Sequence, residues 1–155
     1  IAAAGRRGFA LYSCATNRWK LFGNKKEEQA IRCCGLCWHD RIAIAVVAPA
    51  DADAGKPYKL QLYPRRHLAA SGMVGSCDLP RKPTFVDSVD GFLVVLTSEG
   101  FFYQFLLVPH VEDNVVTSVE ISKLKQVALA SLPTPISISV FHSDHVLFVV
   151  GLVLR

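Results

Sequence analysis

Nowhere in the 155-residue sequence is there an apolar run near the roughly 18 to 20 residues that a membrane-spanning helix needs. The longest candidate, Val146 to Leu154, is only nine residues and rich in valine, which suits a buried strand. No cleavable leader is recognisable, because Arg6-Arg7 interrupts the first ten residues and no apolar segment of suitable length follows. Charged residues are sparse at 19%, whereas apolar ones reach 51%, a balance that excludes intrinsic disorder. Helix signals are thin too. Asn24 offers a cap ahead of Lys25 to Ala30, but that length allows one or two turns in a loop.

Catalytic constellations are also lacking. Gly5-Arg6-Arg7-Gly8 is no phosphate-cradling loop; it reads as a two-residue hairpin turn whose glycines tolerate positive φ. No nucleotide or other cofactor is therefore expected. Five histidines, His39, His67, His110, His142 and His145, are scattered at predicted turns. His142 and His145 with Asp144 have some metal-ligand character, yet polar residues are ordinary in a turn ahead of a buried strand, and no metal site is expected. Five cysteines stand at 14, 33, 34, 37 and 77. The cluster Cys33-Cys34-Gly35-Leu36-Cys37 supplies half of a zinc set, but a second pair is missing. These thiols are expected to act as small buried apolar side chains, reduced as in the cytosol.

What the chain does contain is a repeat. The runs Ile42 to Val47, Phe92 to Leu96 and Val146 to Val150 start 50 and 54 residues apart, and each follows a polar turn that carries Asp40, Asp90 or Asp144. Each is preceded by a shorter strand pattern, at Leu36 to Trp38, Phe85 to Val89 and Ile136 to Phe141. After the first two comes an alternating aromatic strand, Tyr58 to Tyr63 and Phe101 to Leu106. The opening segment fits the same frame, with strands at Ile1 to Ala4, Gly8 to Ser13 and Asn17 to Phe22.

A period near 50 built from three or four short antiparallel strands is the pattern of β-propeller blades, which stack because no blade buries both faces alone. The expected fold class is all-β, part of a WD40-like β-propeller of about two and a half to three blades, with segments near 1–23, 31–73, 83–124 and 127–155. Trp-Asp dipeptides are absent, and an irregular β-sandwich has similar strand spacing. The apolar finish at Val153-Leu154-Arg155 and the missing initial methionine suggest a piece of a longer chain, poorly stable alone through its exposed strand edges. Ser118 to Leu132 has mixed periodicity and is assigned to strands for its β-branched content.

One stretch is too distinctive to be sheet filler: Arg18-Trp19-Lys20-Leu21-Phe22-Gly23-Asn24, with Ile1-Ala2, Gly5, Gly8-Phe9-Ala10 and Tyr12-Ser13 before it and Glu28-Gln29 after it. It resembles the Ric-one family, the propeller-bearing subunit of the two-subunit guanine-nucleotide exchange factor for a Golgi Rab GTPase. The dense likeness covers about the first fifth of the chain, and a looser one runs through Gly35 to Trp38, Ile42 to Val47 and Tyr58 to Tyr63. Beyond Leu107 only strand patterning agrees. Lys25-Lys26-Glu27 is more charged, and the loop Pro49 to Pro57 longer, than the resemblance implies. The family-like motif, Gly8, Phe9, Tyr12, Trp19, Lys20, Leu21, Phe22, Gly23 and Asn24, is expected to be structural, with Trp19 packed between neighbouring blades.

The resemblance implies a scaffold that acts with a smaller partner subunit on a Golgi Rab GTPase in endosome-to-Golgi vesicle traffic. It further implies a cytoplasmic protein peripheral to the Golgi membrane, and a GTPase regulator within a complex rather than an enzyme. The alternative is a generic propeller interaction module in another assembly, a coat or a ubiquitin-ligase adaptor. An enzyme built on a propeller would need acids or histidines converging on a central channel. The basic pairs Arg6-Arg7, Lys25-Lys26, Arg65-Arg66 and Arg81-Lys82 fall in predicted loops and contribute to a net charge of +4. Loops of one type share one face of a propeller, so these pairs suit an acidic protein surface or anionic lipid. Nucleic acid is not an expected partner, because the aromatics belong to strands rather than interleaving with the basic residues.

Overall fold

The computed structural model describes residues 1–49, 56–89, 91–129, 137–142 and 145–149, the last two segments and residue 89 by backbone alone. The described residues form antiparallel sheets of consecutive strands, with no crossover in any of them. The first sheet is β1 (Ala2–Ala4), β2 (Phe9–Ser13) and β3 (Arg18–Lys20), followed by a short helix α1 (Lys25–Ala30). Next come β4 (Cys33–His39), β5 (Ile42–Val47), β6 (Tyr58–Pro64) and β7 (Gly75–Leu79), with a 3₁₀ turn at Ala70–Gly72. The third sheet is β8 (Pro83–Val89), β9 (Phe92–Thr97), β10 (Phe101–Glu112) and β11 (Val115–Ala128), and the fourth pairs β12 (Ser137–His142) with β13 (His145–Val149).

The sheets stack face to face, and β5 shows why its sequence is apolar throughout. Alternate side chains of a strand point to opposite faces. Ile42, Ile44 and Val46 pack toward the third sheet with Leu93, Val95 and Phe105, whereas Ala43 and Ala45 face the first sheet. Both faces are covered, so no position on the strand can be polar. Strand β9 repeats this: Leu93 and Val95 turn back to the second sheet, and Val94 and Leu96 join Phe102 on the other side. Residues deeper than a few per cent exposure concentrate on these two strands.

The alanines of β5 leave room for aromatic rings. Phe9 and Phe22 meet edge-on at 5.2 Å, Phe9 and Tyr63 at 5.4 Å, and Phe22 and Tyr63 at 5.7 Å. Offset and edge-on contacts place the positive ring edge on the negative ring face, and each pair adds roughly 0.5–1.5 kcal/mol beyond its buried area. Tyr63 joins this cluster by its ring and donates its hydroxyl proton to Gln61 Oε1 at 3.0 Å. The trio ties the first sheet to the second.

Strand β4 carries a bulge at Cys34. Cys33 lies opposite Val47 while Gly35 lies opposite Val46, so two steps on β4 match one on β5. The extra residue reverses the pleat: Cys33 faces the first sheet with Leu36 and Trp38, and Cys37 faces the third. Gly35 then sits at a close approach of β4 to β8, where an added Cβ would stand 3.0 Å from Val86 Cγ1 and 3.2 Å from Val46 Cγ2.

Turns follow their local chemistry. Asp113 and Asn114 both have positive φ, 47° and 65°, and close the β10–β11 hairpin in two residues. Asp40, at φ 48°, opens the two-residue turn between β4 and β5; its expected counterparts Asp90 and Asp144 lie outside the described residues. Helix α1 is the short helix its capping pattern predicts, with the Asn24 side chain accepting from Lys26 N at 2.9 Å. The mixed-period stretch from Ser118 is strand through Ala128, as its β-branched residues suggest. The second sheet runs on to Leu79 and the third to Ala128.

Alternation along the motif gives a sharp stability test, applied to the intact protein that carries this chain. Phe22→Ala, which empties a corner of the aromatic trio, is expected to cost about 3–5 kcal/mol. Its neighbour Leu21, 61% exposed, is expected to change stability by no more than about 0.5 kcal/mol as Leu21→Ala. Equal losses in thermal or denaturant unfolding would show the two faces to be assigned wrongly.

Candidate interaction surface

The nine motif residues divide between the interior and the surface. Phe9 and Phe22 are buried in the aromatic trio, and Gly8, at φ 72°, turns the chain into β2 while its N–H donates to Ile31 O at 2.8 Å. An added Cβ on Gly8 would collide with the Glu28 side chain. Asn24 caps α1, and Gly23, with open space around it, leads into that cap. Tyr12, Trp19 and Leu21 face the other way, while Lys20, paired with buried Leu11, lies on the Phe22 side and reaches the Arg65 carbonyl. Trp19 lies against the Tyr12 ring at 5.2 Å, and the Tyr12 hydroxyl donates to Asn17 Oδ1.

Among the described residues Trp19 is 54% exposed, on the face of the first sheet turned away from the second. The parity of the motif is as alternation predicts, with Trp19 and Leu21 together and Phe22 opposite. Phe22 is the residue turned inward, because β5 presents its alanines on that side.

The basic residues separate by sheet end. Lys20, Arg41, Arg65 and Arg66 line one open cleft of about 490 Å³, at the end where the β4–β5, β6–β7 and β10–β11 connections gather. Arg65 N donates to Arg41 O at 2.8 Å, Lys20 Nζ to Arg65 O at 3.3 Å, and Arg41 Nη1 to Asn114 Oδ1 at 3.1 Å. Arg7 instead donates to Gln29 O, Lys25 and Lys26 belong to α1, and Arg81 pairs with Glu99 and lies 4.1 Å from the Phe101 ring centre. Sequence inspection singled out Arg65-Arg66 but missed Lys20 and Arg41 as their companions, since these arrive from other strands and turns. The usable signal was the turn position of Arg41, directly after Asp40.

Groups with catalytic character are not assembled. His39 Nδ1 lies 2.7 Å from Ser88 Oγ, and burial pushes its pKa down against the opposing pull of Asp40. His67 and His110 are exposed on other elements. Among the described residues no three His, Cys, Asp or Glu side chains group closely enough to hold a metal ion. The bulge explains this for the cysteine cluster, because it turns Cys33 and Cys37 to opposite faces of β4. The Cys33 thiol is pushed up to about 11 and Cys37 to about 12, chiefly by burial. Asp144 and the side chains of His142 and His145 lie outside the described residues. Among those residues no helix is long and apolar enough to cross a membrane.

Stacked antiparallel meanders whose first strands neighbour one another, β1 by β4, β4 by β8 and β8 by β12, define a β-propeller domain. The family model of the RIC1 second β-propeller domain matches residues 1–147, and the chain belongs to that family. It is 56% identical over 41 residues to the guanine nucleotide exchange factor subunit RIC1 of Mus musculus, covering 26% of this chain and 3% of that protein. Over 116 residues it is 27% identical to the guanine nucleotide exchange factor subunit R06F6.8 of Caenorhabditis elegans, covering 74% of this chain and 8% of that protein. The chain thus spans a small part of the length of these curated relatives. No solved structure matches it.

The thiol environments have a readable pH consequence. Cys33 and Cys37 keep their protons in the folded state above their ordinary value of 9.0, and Tyr63 is likewise raised from 10.0 to about 12 by burial. A raised folded pKa gives stability that is complete below the unfolded pKa and is lost as pH rises toward the folded one. Unfolding free energy is therefore expected to fall from about pH 9 upward, and a Cys37→Ala variant is expected to flatten that decline. Iodoacetamide should label exposed Cys14 before Cys37, whose thiolate is both disfavoured and covered. Mass-spectrometric mapping of the adducts checks the order; faster labelling of Cys37 would contradict its burial.

Proposed function

We propose that this chain supplies propeller blades to a subunit of a guanine-nucleotide exchange factor, one blade or part of a blade per sheet, with segments near 1–23, 31–73, 83–124 and 127–155. The subunit acts with a smaller partner on a Golgi Rab GTPase in endosome-to-Golgi vesicle traffic, from the cytoplasm and peripheral to the Golgi membrane. The observation that carries this reading is the match of residues 1–147 to the RIC1 second propeller domain, together with two relatives named as exchange-factor subunits.

Nucleotide exchange of this kind calls for no nucleophile and no acid–base pair. It calls for a surface with greater affinity for the nucleotide-free GTPase than for its GDP complex, since only differential affinity shifts that equilibrium. Rigid blades suit such a task. The buried trio and the two-sided strands β5 and β9 hold the turns at the sheet ends in fixed relation, so a partner meets a preformed surface and less of the binding energy is lost to ordering. The motif acts here as a structural one: Gly8, Phe9, Phe22, Gly23 and Asn24 set the first sheet against the second.

The test uses the intact protein purified from cells with whatever subunits accompany it. Release of a fluorescent GDP analogue from a panel of Rab proteins is measured with and without the complex. Recovery of a small second subunit and acceleration of release from a Golgi Rab are the expected results. Recovery of coat or ubiquitin-ligase components, with no Rab responding, would overturn the exchange-factor reading in favour of a generic propeller module.

A further inference from the structure

Lys20, Arg41, Arg65 and Arg66 are brought to one cleft by separate strands and turns, and no carboxylate is part of its wall. Asp40 and Asp113 adjoin Arg41 and Asn114 in their turns but do not line it. Among the described residues the ion pairs are Lys59 with Asp78 and Arg81 with Glu99, away from this cleft. Two of the four cations are oriented by neutral acceptors. Lys20 donates to the Arg65 carbonyl and Arg41 to the Asn114 side-chain oxygen. No carboxylate of the cleft wall offsets the charge of the four, and like charges gathered at one site repel, an unfavourable term that an entering anion relieves.

Size and charge narrow the anion. A volume of about 490 Å³ falls in the range of roughly 300–1,000 Å³ typical of small-molecule sites. Arginine forks match phosphate oxygens in bidentate fashion. Two phosphomonoesters, each carrying about −1.5 to −2 at neutral pH, would balance four cations. Carboxylates carry one charge each, so an acidic peptide would have to crowd four side chains into the same space. Pro64, Val115 and Val116 give part of the wall an apolar character suited to the carbon skeleton between phosphates.

We propose that this cleft binds a small ligand bearing two or more phosphate groups on a compact polyol, either free in solution or as the headgroup of a lipid. The proposal stands on the cleft alone and is independent of nucleotide exchange. Bound there, the ligand bridges the first, second and third sheets at one end of the stack, so its occupancy also holds those sheets in register.

The test takes the intact protein and two soluble or membrane probes: inositol hexakisphosphate in calorimetry, and vesicle flotation with phosphatidylcholine containing phosphatidylinositol bisphosphate. Vesicles carrying phosphatidylserine at matched charge are the comparison. The double variant Arg65→Ala/Arg66→Ala is set against Lys25→Ala/Lys26→Ala, which removes equal charge outside the cleft and reports non-specific attraction. Circular dichroism verifies that both remain folded. The cleft variant is expected to weaken binding by at least about tenfold, as loss of charge-assisted hydrogen bonds does, and the helix variant by less than about threefold. Cleft-dependent binding of the soluble probe supports a free ligand, and cleft-dependent flotation confined to the bisphosphate vesicles supports a lipid headgroup. Absence of binding to either probe, or equal weakening by both variants, would overturn the proposal.

Discussion

Everything in this structure depends on the burial of both faces of β5 and β9. A strand covered on one side can be half polar and can end a fold; a strand covered on both sides requires a sheet above and a sheet below. Ile42, Ile44 and Val46 demand the third sheet, and the alanines opposite them demand bulk from the first, which Phe9, Phe22 and Tyr63 provide. The hydrophobic effect, at about 25 cal/mol per Å² of apolar surface removed from water, thus acts between sheets as much as within them. Stability is shared along the stack, and no sheet owns a core of its own.

The same economy explains the small and irregular features. Ala43 and Ala45 are small because three rings crowd that face. Gly35 lacks a side chain because β4 and β8 approach so closely that a Cβ would press on Val86 and Val46. The helix α1 is anchored through its cap at one end and through Glu27, which accepts from Ala70 N at 2.8 Å, so the link from the first sheet to the second is held against the β6–β7 connection. Arg7, donating to Gln29 O at 2.8 Å, fastens the β1–β2 turn to the same helix.

Much of the architecture was legible in the sequence because it is written in local alternation. The apolar runs from Ile42 and Phe92, their preceding turns and the 50-residue spacing mark two-sided strands directly, and the motif around Trp19 pointed to the family that the comparison with known domains bears out. Three things were not legible. That Phe22 rather than Trp19 meets the alanines of β5 depends on which face of the first sheet turns toward the second, a sign that parity alone leaves open. The bulge at Cys34 is invisible to a two-residue period, which by itself would put Cys33 and Cys37 on one face. The gathering of Lys20 and Arg41 with Arg65 and Arg66 is a property of turn ends that meet only once the sheets are stacked.

The bulge also bears on how such a chain can change its length. Within β5 a one-residue insertion or deletion would exchange its isoleucines for its alanines on both buried faces at once, and every neighbour would meet the wrong volume. At Cys34 the ladder already accommodates an extra residue, and the pleat on either side of it is out of step by one. Losing that residue would restore simple alternation along β4, with Cys33 still opposite Val47 and the pairing of Leu36 to His39 with β5 in place. Length variation among blades of this kind should therefore collect at inner-strand bulges and in connections, while strands like β5 stay constant to the residue.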